Sequence, residues 1–252
     1  MTSFAIRLTF HGDLSFFLKA KASRIERQLS EKTSIKDVIE ACGVPHTEVD
    51  LILVNGEPVD FAAVLTQDVA IDVYPPDEIH PTLFQEDRLQ VRHIEKFVAD
   101  GHLGKLVRDL RLLGIDVTCD PVAEDRQLVT TSRDEDRALL TRDRRLLMHA
   151  AVRHGYYLRS QDPLEQTVEV LRRFNLGPTL TPFSRCLRCN ALLQAAKKAE
   201  VLDQLEPLTR IYYEQFRRCP DCGQVYWSGS HFDKLRARVE EVRATLANSQ
   251  TP

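Results

Sequence analysis

The chain lacks an apolar run long enough to cross a membrane. A spanning helix needs roughly 18 consecutive apolar residues, and no stretch of the 252 residues approaches that length. The opening stretch MTSFAIRLTF alternates like a β-strand and lacks the charged and then apolar order of a signal peptide. Internal repeats and low-complexity tracts are also absent. We therefore expect a cytoplasmic protein with no membrane association.

Basic residues are scarce in one part of the chain. Residues 1–80 hold 7 Lys and Arg against 13 Asp and Glu, whereas the remainder holds 27 against 24. A surface that binds polyanions is therefore expected in the part of the chain after residue 80. Hydrophobic residues at 43% and charged residues at 28% are ordinary for a globular protein, and they argue against disorder.

The sequence pattern predicts an α/β protein with three parts and one linker. Residues 1–76 combine alternating strands, a short helix and the hairpin signal Asn55-Gly56, which favours a β-grasp domain. Residues 77–92 mix prolines and charges and indicate a linker. Residues 93–180 alternate strictly between strand and helix, which is typical of a parallel α/β sheet. Residues 181–252 hold four cysteines and end in a charged helix.

Finer predictions concern the second and third parts. Gly114 should end the first helix of the α/β part, and the stretch DRRLLMHAAVRHG should form its third helix. In the cysteine-rich part, residues 191–204 have a helical pattern, and residues 206–215 are expected to be irregular or extended.

Four acids lie next to the predicted strands of the α/β part. Asp100 and Asp143 each follow an apolar strand, whereas Asp125 and Asp162 each open a helix. All four would face one edge of a parallel sheet, where such folds keep their ligands. Clustered carboxylates repel one another unless a cation neutralises them, and hard oxygen ligands suit Mg²⁺ or Mn²⁺. Such a site can hydrolyse phosphodiesters.

Each acid also has a structural interpretation. Asp162 before Pro163 is a typical helix N-cap, and this role is preferred over metal ligation. For Asp125, capping and ligation are equally good interpretations. Asp100 and Asp143 are better explained by function, because each stands at the strand end where chemistry is placed.

Two C-x-x-C pairs predict a structural zinc site. They are separated by 29 residues, and in a cytosolic chain they favour metal over disulfides. Four thiolates would close a tetrahedral zinc site and leave no open position for catalysis. Gly223 and Asn190, one after each pair, suit the tight turns of zinc knuckles. The four predicted ligands are Cys186, Cys189, Cys219 and Cys222.

Several motifs in order resemble the Mut-seven C-terminal ribonuclease family, which has a PIN-like nuclease domain with a terminal zinc ribbon. The resemblance covers roughly residues 94–235, and its motifs are FVADGHLGKLVRDLRLLGIDV, EDRQL, LLTRDRRLL, DPLEQTVEVLRRF, RCLRCN and CPDCGQVYWSGSH. It implies that Asp100, Asp125 and Asp143 are catalytic ligands of Mg²⁺ or Mn²⁺. Asp162 matches the family pattern less securely and remains a possible ligand.

Residues 1–76 resemble the ubiquitin-like domain often fused ahead of this nuclease, on the motifs VPHTEVDLILVNGEPVDF and DVAIDVYPP. They are also similar to sulfur-carrier proteins. Those carriers end in a free Gly-Gly, whereas this segment ends in Pro75-Pro76 and continues, so carrier chemistry is improbable. The acidic domain is expected either to contact a protein partner, to contact the basic nuclease within the chain, or to act only as a stabilising appendage.

The resemblance makes RNA the expected substrate. Basic residues around the acids are expected to contact its phosphates, with a solvated helix face as the other interpretation of each arginine. The predicted RNA-binding residues are Arg142, Arg144, Arg145, Lys105 and Arg108. The leading hypothesis is a divalent-metal-dependent ribonuclease that hydrolyses RNA phosphodiester bonds. The alternatives are a non-catalytic RNA-binding module, associated with tRNA or ribosomes, and a partner-binding adaptor.

Overall fold

The computed structural model describes residues 3–19, 22–76, 84–91 and 93–248. Its contacts divide the chain into two units. The first unit comprises residues 1–93 and 125–157, and the second comprises residues 94–124 and 158–252. The first unit therefore contains the N-terminal part together with one stretch of the predicted α/β part. Among the described helices, none is both long enough and apolar enough to cross a membrane.

The N-terminal part of the first unit has a five-stranded mixed sheet. Its strand order is β2-β1-β7-β4-β5, in which β1 and β7 run parallel and the other neighbours run antiparallel. The elements are β1 (Phe4–Phe10), β2 (Arg24–Leu29), β3 (Thr33–Ser34), α1 (Ile35–Ala41), β4 (Leu51–Val54), β5 (Glu57–Val59), β6 (Val64–Leu65) and β7 (Val69–Tyr74). The predicted β-grasp fold is confirmed.

Local sequence explains these elements well. Strand β1 buries Ile6, Leu8 and Phe10 on alternate positions, as its apolar alternation predicts. The β4–β5 hairpin turns at Asn55 and Gly56, whose φ angles are 52° and 89°. Asn-Gly is the preferred pair for this turn because both central residues need positive φ.

The α/β part contributes parallel strand pairs to both units. In the first unit β10 (Ala138–Thr141) pairs with β11 (Gly155–Tyr157), and in the second β8 (Lys96–Ala99) pairs with β9 (Asp116–Thr118), each in parallel. Parallel pairing confirms the predicted α/β class. The elements of the second unit are β8 (Lys96–Ala99), α2 (Gly104–Leu112), β9 (Asp116–Thr118) and α5 (Pro163–Arg173), and those of the first are α3 (Asp125–Asp134), β10 (Ala138–Thr141), α4 (Arg144–Leu147) and β11 (Gly155–Tyr157).

Helix α2 ends where the sequence predicts. Gly114 has a φ of +89°, and the amide of Ile115 donates to the carbonyl of Leu110, which closes a Schellman turn. A Cβ at residue 114 would lie 2.2 Å from the carbonyl oxygen of Thr181. Glycine is therefore required there both for the backbone angle and for the close approach of residue 181.

Helix α4 is shorter than predicted. The expected third helix of the α/β part is one turn, Arg144–Leu147, followed by turns. Leu146, Leu147 and Val152 are all buried. Because Val152 comes five positions after Leu147, a continuous helix would turn it away from the face that carries the two leucines. The turns return Val152 to the core.

The C-terminal part of the second unit has a three-stranded antiparallel sheet of order β12-β13-β14. Its elements are β12 (Gln194–Ala196), α6 (Lys198–Val201), α7 (Pro207–Tyr212), β13 (Phe216–Arg218), β14 (Val225–Trp227) and α8 (Ser230–Asn248). The helical prediction for residues 191–204 is confirmed at α6 but wrong at β12, and the prediction of irregular or extended chain for residues 206–215 is wrong at α7. Pro207 at the first helical position starts α7, and a small core of Val201, Leu205, Phe216 and Val225 overrides the local helical pattern.

The described end of the predicted linker is bonded to the N-terminal part. Arg88 Nη1 lies 2.5 Å from Asp50 Oδ2, and the amide of Gln90 donates to Asp50 Oδ1 over 2.9 Å. The Gln90 side chain donates to the carbonyls of His46 and Val49. Asp50 and Gln90 are buried, so residues 88–90 are packed chain rather than loose linker. Residues 77–83 and 92 lie outside the described residues.

Candidate functional site

The four predicted zinc ligands converge in the second unit. Their Sγ atoms all lie within 4.8 Å of one another. Cys186 Sγ is 3.5 Å from Cys222 Sγ, and Cys189 Sγ is 3.3 Å from Cys219 Sγ. These separations are close to the value of about 3.8 Å for thiolates around a tetrahedral zinc with bonds of about 2.3 Å. The donor set therefore fits a metal ion such as zinc, and none of the six cysteines forms a disulfide.

Two matching turns carry the four cysteines. After the first pair, Asn190 has a φ of 77° and its amide donates to the Cys186 carbonyl over 3.0 Å. After the second pair, Gly223 has a φ of 74° and its amide donates to the Cys219 carbonyl over 3.1 Å. Positive φ favours Gly and, among other residues, Asn. This explains why Asn and Gly occupy the equivalent positions.

A buried arginine connects the first turn to the α/β strands. Arg111 Nη1 donates to the carbonyl of Arg188 over 2.7 Å, and its Nε donates to the carbonyl of Val117 over 3.1 Å. Burial lowers the pKa of Arg111, whereas the nearby Cys119, Cys189 and Cys186 raise it. A cation at this place partly offsets the negative charge that four thiolates bring to a metal site. Nothing in the local sequence around Arg111 indicates this role.

The hydroxyl of Tyr226 is bound at the cluster. It lies 3.2 Å from Cys186 Sγ and accepts the amide hydrogen of Leu187 over 3.0 Å. Burial opposes ionisation of the Cys186 thiol, but the hydrogen bonds from Tyr226 and from the turn lower its pKa to about 6. These hydrogen bonds favour the thiolate form of Cys186, which is the form that binds a metal ion.

Asp143 is the N-cap of α4. Its Oδ1 accepts the amide hydrogens of Arg145 over 2.7 Å and of Leu146 over 3.3 Å. Among the described residues, its second oxygen accepts no hydrogen bond, so capping by one oxygen leaves the other for a cation. Asp162 caps α5 in the same way, with Oδ1 accepting from Leu164 and Glu165. Capping was the preferred interpretation of Asp162.

Asp100 follows the buried strand β8. Its Oδ1 lies 3.0 Å from Nδ1 of His102, and its side chain is 23% exposed. The next residue is Gly101, where a Cβ would lie 2.8 Å from the carbonyl oxygen of Pro121. Residue 101, in the turn after β8, therefore has to be glycine so that the chain after β9 can approach this turn. Sequence reasoning missed His102, although an acid and a histidine two residues apart after a strand is a detectable signal.

Asp125 is the first residue of α3 and is exposed. The structural interpretation predicted for this residue was capping, but Asp125 lies one position inside the helix and not at the N-cap. An acid in the first helical turn still interacts favourably with the helix dipole. Asp100 belongs to the second unit, whereas Asp125 and Asp143 belong to the first. A shared metal ion needs three or more His, Cys, Asp or Glu side chains close together. Among the described residues the four cysteines form such a group, and the predicted acids do not.

The predicted RNA-binding arginine Arg144 is bound within the first unit. Its guanidinium carbon lies 5.0 Å from the ring centre of Phe17 and 5.6 Å from those of Phe16 and Tyr157. Its Nη1 donates to the Phe17 carbonyl over 2.9 Å. A Cβ at Gly43 would lie 3.1 Å from that same carbonyl oxygen. Arg144 therefore joins α4 to the β-grasp part within the first unit through rings and a backbone carbonyl.

Two further bonds support this contact. The buried carboxylate of Glu48 accepts the amide hydrogen of Tyr157 over 2.7 Å, and Nε2 of His46 lies 2.7 Å from the carbonyl oxygen of Val152. The other predicted RNA-binding residues have different surroundings. Arg142 is half-buried, whereas the remaining three are exposed: Arg145, Lys105 and Arg108.

Replacing Arg144 by alanine is expected to lower the free energy of unfolding by about 1–3 kcal/mol, because a partly desolvated cation–π contact and a hydrogen bond to a carbonyl are both lost. Arg145→Ala is the matched control, since the neighbouring arginine is exposed and should change stability by less than about 0.5 kcal/mol. Urea unfolding of the two variants measures the difference. Equal stability of both variants would show that the contact does not hold α4.

Family comparisons agree with the order of these parts. A family model described as the Mut7-C RNAse domain matches residues 95–239, and a model described as Mut7-C ubiquitin matches residues 3–80. A search of curated proteins found no match. The first model covers more than half of the chain and includes the strand-end acids and all four clustered cysteines. The chain therefore belongs to the Mut7-C RNAse family, with a Mut7-C ubiquitin domain ahead of its RNAse domain.

Proposed function

We propose that this protein is a ribonuclease that hydrolyses RNA phosphodiester bonds with the help of a divalent metal ion. The observation that carries the proposal is the match of residues 95–239 to the Mut7-C RNAse domain, which indicates a nuclease-type function. The acids at the strand ends supply oxygen ligands of the kind that Mg²⁺ and Mn²⁺ prefer. RNA is the substrate class that the family description indicates.

Asp100, Asp125 and Asp143 would hold the ion. A bound Mg²⁺ or Mn²⁺ would activate a water molecule and neutralise charge on the phosphate. Asp143 can take part while it caps α4, because its two carboxylate oxygens can serve the two roles separately. Arg145, exposed two residues after Asp143, is well placed in sequence to contact a phosphate near that acid. Asp162 is proposed as a cap rather than as a ligand.

The zinc cluster would have a structural role. Four thiolates leave no open coordination position, so zinc here would hold the two turns together and would not bind a water nucleophile. Arg111 and Tyr226 would support it, the first through the backbone of the turn that follows Cys186 and the second through the Cys186 thiolate. The divalent ion and the zinc ion are thus separate cofactors in this proposal.

Cleavage of a labelled single-stranded RNA in Mn²⁺ tests the proposed function. Product should form with Mn²⁺, disappear when EDTA is added and return when Mn²⁺ is restored in excess. Zinc content is measured before and after EDTA, so that loss of the structural ion is not mistaken for loss of the catalytic one. Absence of product in Mn²⁺, from protein that retains its zinc, would reject the ribonuclease proposal.

The capping geometry favours one alternative, a non-catalytic RNA-binding module. Asp143 and Asp162 use the same two-amide cap, and capping alone would explain an acid at each position. RNA affinity without cleavage in Mn²⁺ is the result that would support this alternative.

A further inference from the structure

The C-terminal part of the second unit contains an open groove of about 1030 Å³. Its walls come from α2, from α7, from the strands β12, β13 and β14, and from the start of α8, within the same unit as the cysteine cluster. The volume is at the upper end of the range for sites that bind organic ligands. The residues that matter for its chemistry are Arg108, Tyr212, Arg217, Trp227, His231 and Phe232.

Aromatic rings make up much of the groove wall. Tyr212 is 73% exposed on α7, and the rings of Phe183 and Phe232 pack against each other with centres 4.7 Å apart. The turn into α8 depends on Gly229, where a Cβ would lie 2.6 Å from Trp227 Nε1. The tight turn therefore brings Trp227 and Phe232 to one groove. Trp227 also packs against the small core of this part, so the exposed ring of Tyr212 is the one most available to stack on a flat ligand group.

The charge of the groove is positive. Arg217 lies directly opposite Tyr226 in the β13–β14 pair, and its Nη1 donates to the carbonyl of Phe183 over 2.8 Å. Both Arg217 and Phe183 line the groove, so this bond holds the guanidinium at the groove wall. Arg108 is exposed on α2 and has no acidic partner among the described residues. These two cations are not neutralised within the described part of the chain.

The other charged residues of the groove are compensated. Glu214, the acid among its described lining residues, lies 2.5 Å from Lys198 Nζ. Arg185 lies 3.3 Å from Asp116. The two compensated pairs leave Arg108 and Arg217 as the charges that a ligand would meet. A ligand that combines negative charge with flat apolar groups therefore fits the groove best.

We propose that this groove binds single-stranded RNA, with bases stacked on its aromatic rings and phosphates bound by Arg108 and Arg217. The inference rests on the proposed function for its choice of RNA. Unpaired bases are required, because paired bases stack on one another and do not present their faces to protein rings. An acidic peptide would satisfy the cations but would leave the ring faces without flat partners, so RNA is favoured over protein.

Fluorescence anisotropy with a labelled twelve-nucleotide oligouridylate tests the groove, in a buffer without added Mg²⁺ or Mn²⁺ so that binding is measured without cleavage. Tyr212→Ala should weaken binding about tenfold through lost stacking. Arg108→Ala and Arg217→Ala should each weaken binding and reduce the slope of log affinity against log salt by about 0.7. Matched controls outside the groove are Arg236→Ala on α8 and Leu202→Ala, both exposed, and they should bind like the parent.

The outcomes separate this proposal from the ribonuclease proposal. If the parent binds the oligonucleotide and all three groove variants bind equally well, the groove proposal is overturned, and cleavage in Mn²⁺ still tests the ribonuclease. If the variants bind weakly while the parent cleaves nothing, the groove stands and the ribonuclease proposal fails. The groove proposal is also overturned if the parent binds a duplex of the same length with equal affinity, or if the parent does not bind the oligonucleotide. If Arg217→Ala lowers the melting temperature, its weaker binding is not attributed to the lost charge. Arg108→Ala then decides whether a cation of the groove binds phosphate.

Discussion

Asp143→Asn is expected to reduce RNA cleavage in Mn²⁺ by on the order of 100-fold or more, because the substitution removes the charge that would hold the divalent ion. The fold should survive, since Asn caps a helix about as well as Asp does, and the carbonyl oxygen can still accept from the amides of Arg145 and Leu146. RNA affinity should stay near that of the parent or increase, because repulsion between a carboxylate and a phosphate is relieved. Single-turnover cleavage and anisotropy measure the two effects separately.

Asp162→Asn is the matched control for this experiment. Asp162 caps α5 with the same two-amide pattern that Asp143 uses at α4, so the two substitutions make the same local chemical change. Asp162→Asn should cleave RNA like the parent. If both variants cleave like the parent, Asp143 has no role beyond that of an ordinary cap. Loss of cleavage in both variants would instead mean that the charge of Asp162 is needed as well, since Asn preserves both caps.

Cys189→Ser is expected to release zinc and to unfold the C-terminal sheet. Binding free energy at a four-thiolate site is also folding free energy, with apparent values of about 10–16 kcal/mol for small zinc-binding peptides. The core around β12, β13 and β14 contains few buried apolar side chains, so it has little else to hold it together. Metal content per chain and the melting temperature of the variant measure the effect.

Cys119→Ser is the control, because Cys119 is a half-buried thiol that lies outside the cluster. This variant should keep one zinc per chain and melt close to the parent. A Cys189→Ser protein that retains stoichiometric zinc and the parent's melting temperature would contradict the structural role of the cluster.

Features decided by a few neighbouring residues were predictable from the sequence. The Asn55-Gly56 hairpin, the stop of α2 at Gly114 and the two C-x-x-C turns each depend on backbone angles that few residue types adopt. The β-grasp and parallel α/β classes followed from apolar periodicity. The capping role of Asp162 was also expected, since Asp before Pro is a strong local signal for a helix start.

Features decided by distant contacts were not predictable. The stretch 191–204 has a helical pattern, but pairing of Gln194–Ala196 with β13 makes part of it a strand. Arg144 stands next to Arg145 in the same short helix, and what distinguishes it is its contacts with residues distant in the chain, above all Phe16 and Phe17, more than a hundred residues away. Local sequence carries no information about such partners, so it predicts the same two alternatives, an RNA contact or a solvated helix face, for both arginines.

Anomalous diffraction from crystals soaked in Mn²⁺ tests the central claim most directly. The ribonuclease proposal predicts a manganese peak within coordination distance of carboxylate oxygens of Asp100 and Asp143, together with a separate zinc peak at the four cysteines that serves as an internal reference. A zinc peak at the cysteines with no manganese at either aspartate would contradict the proposal that these acids hold a catalytic ion.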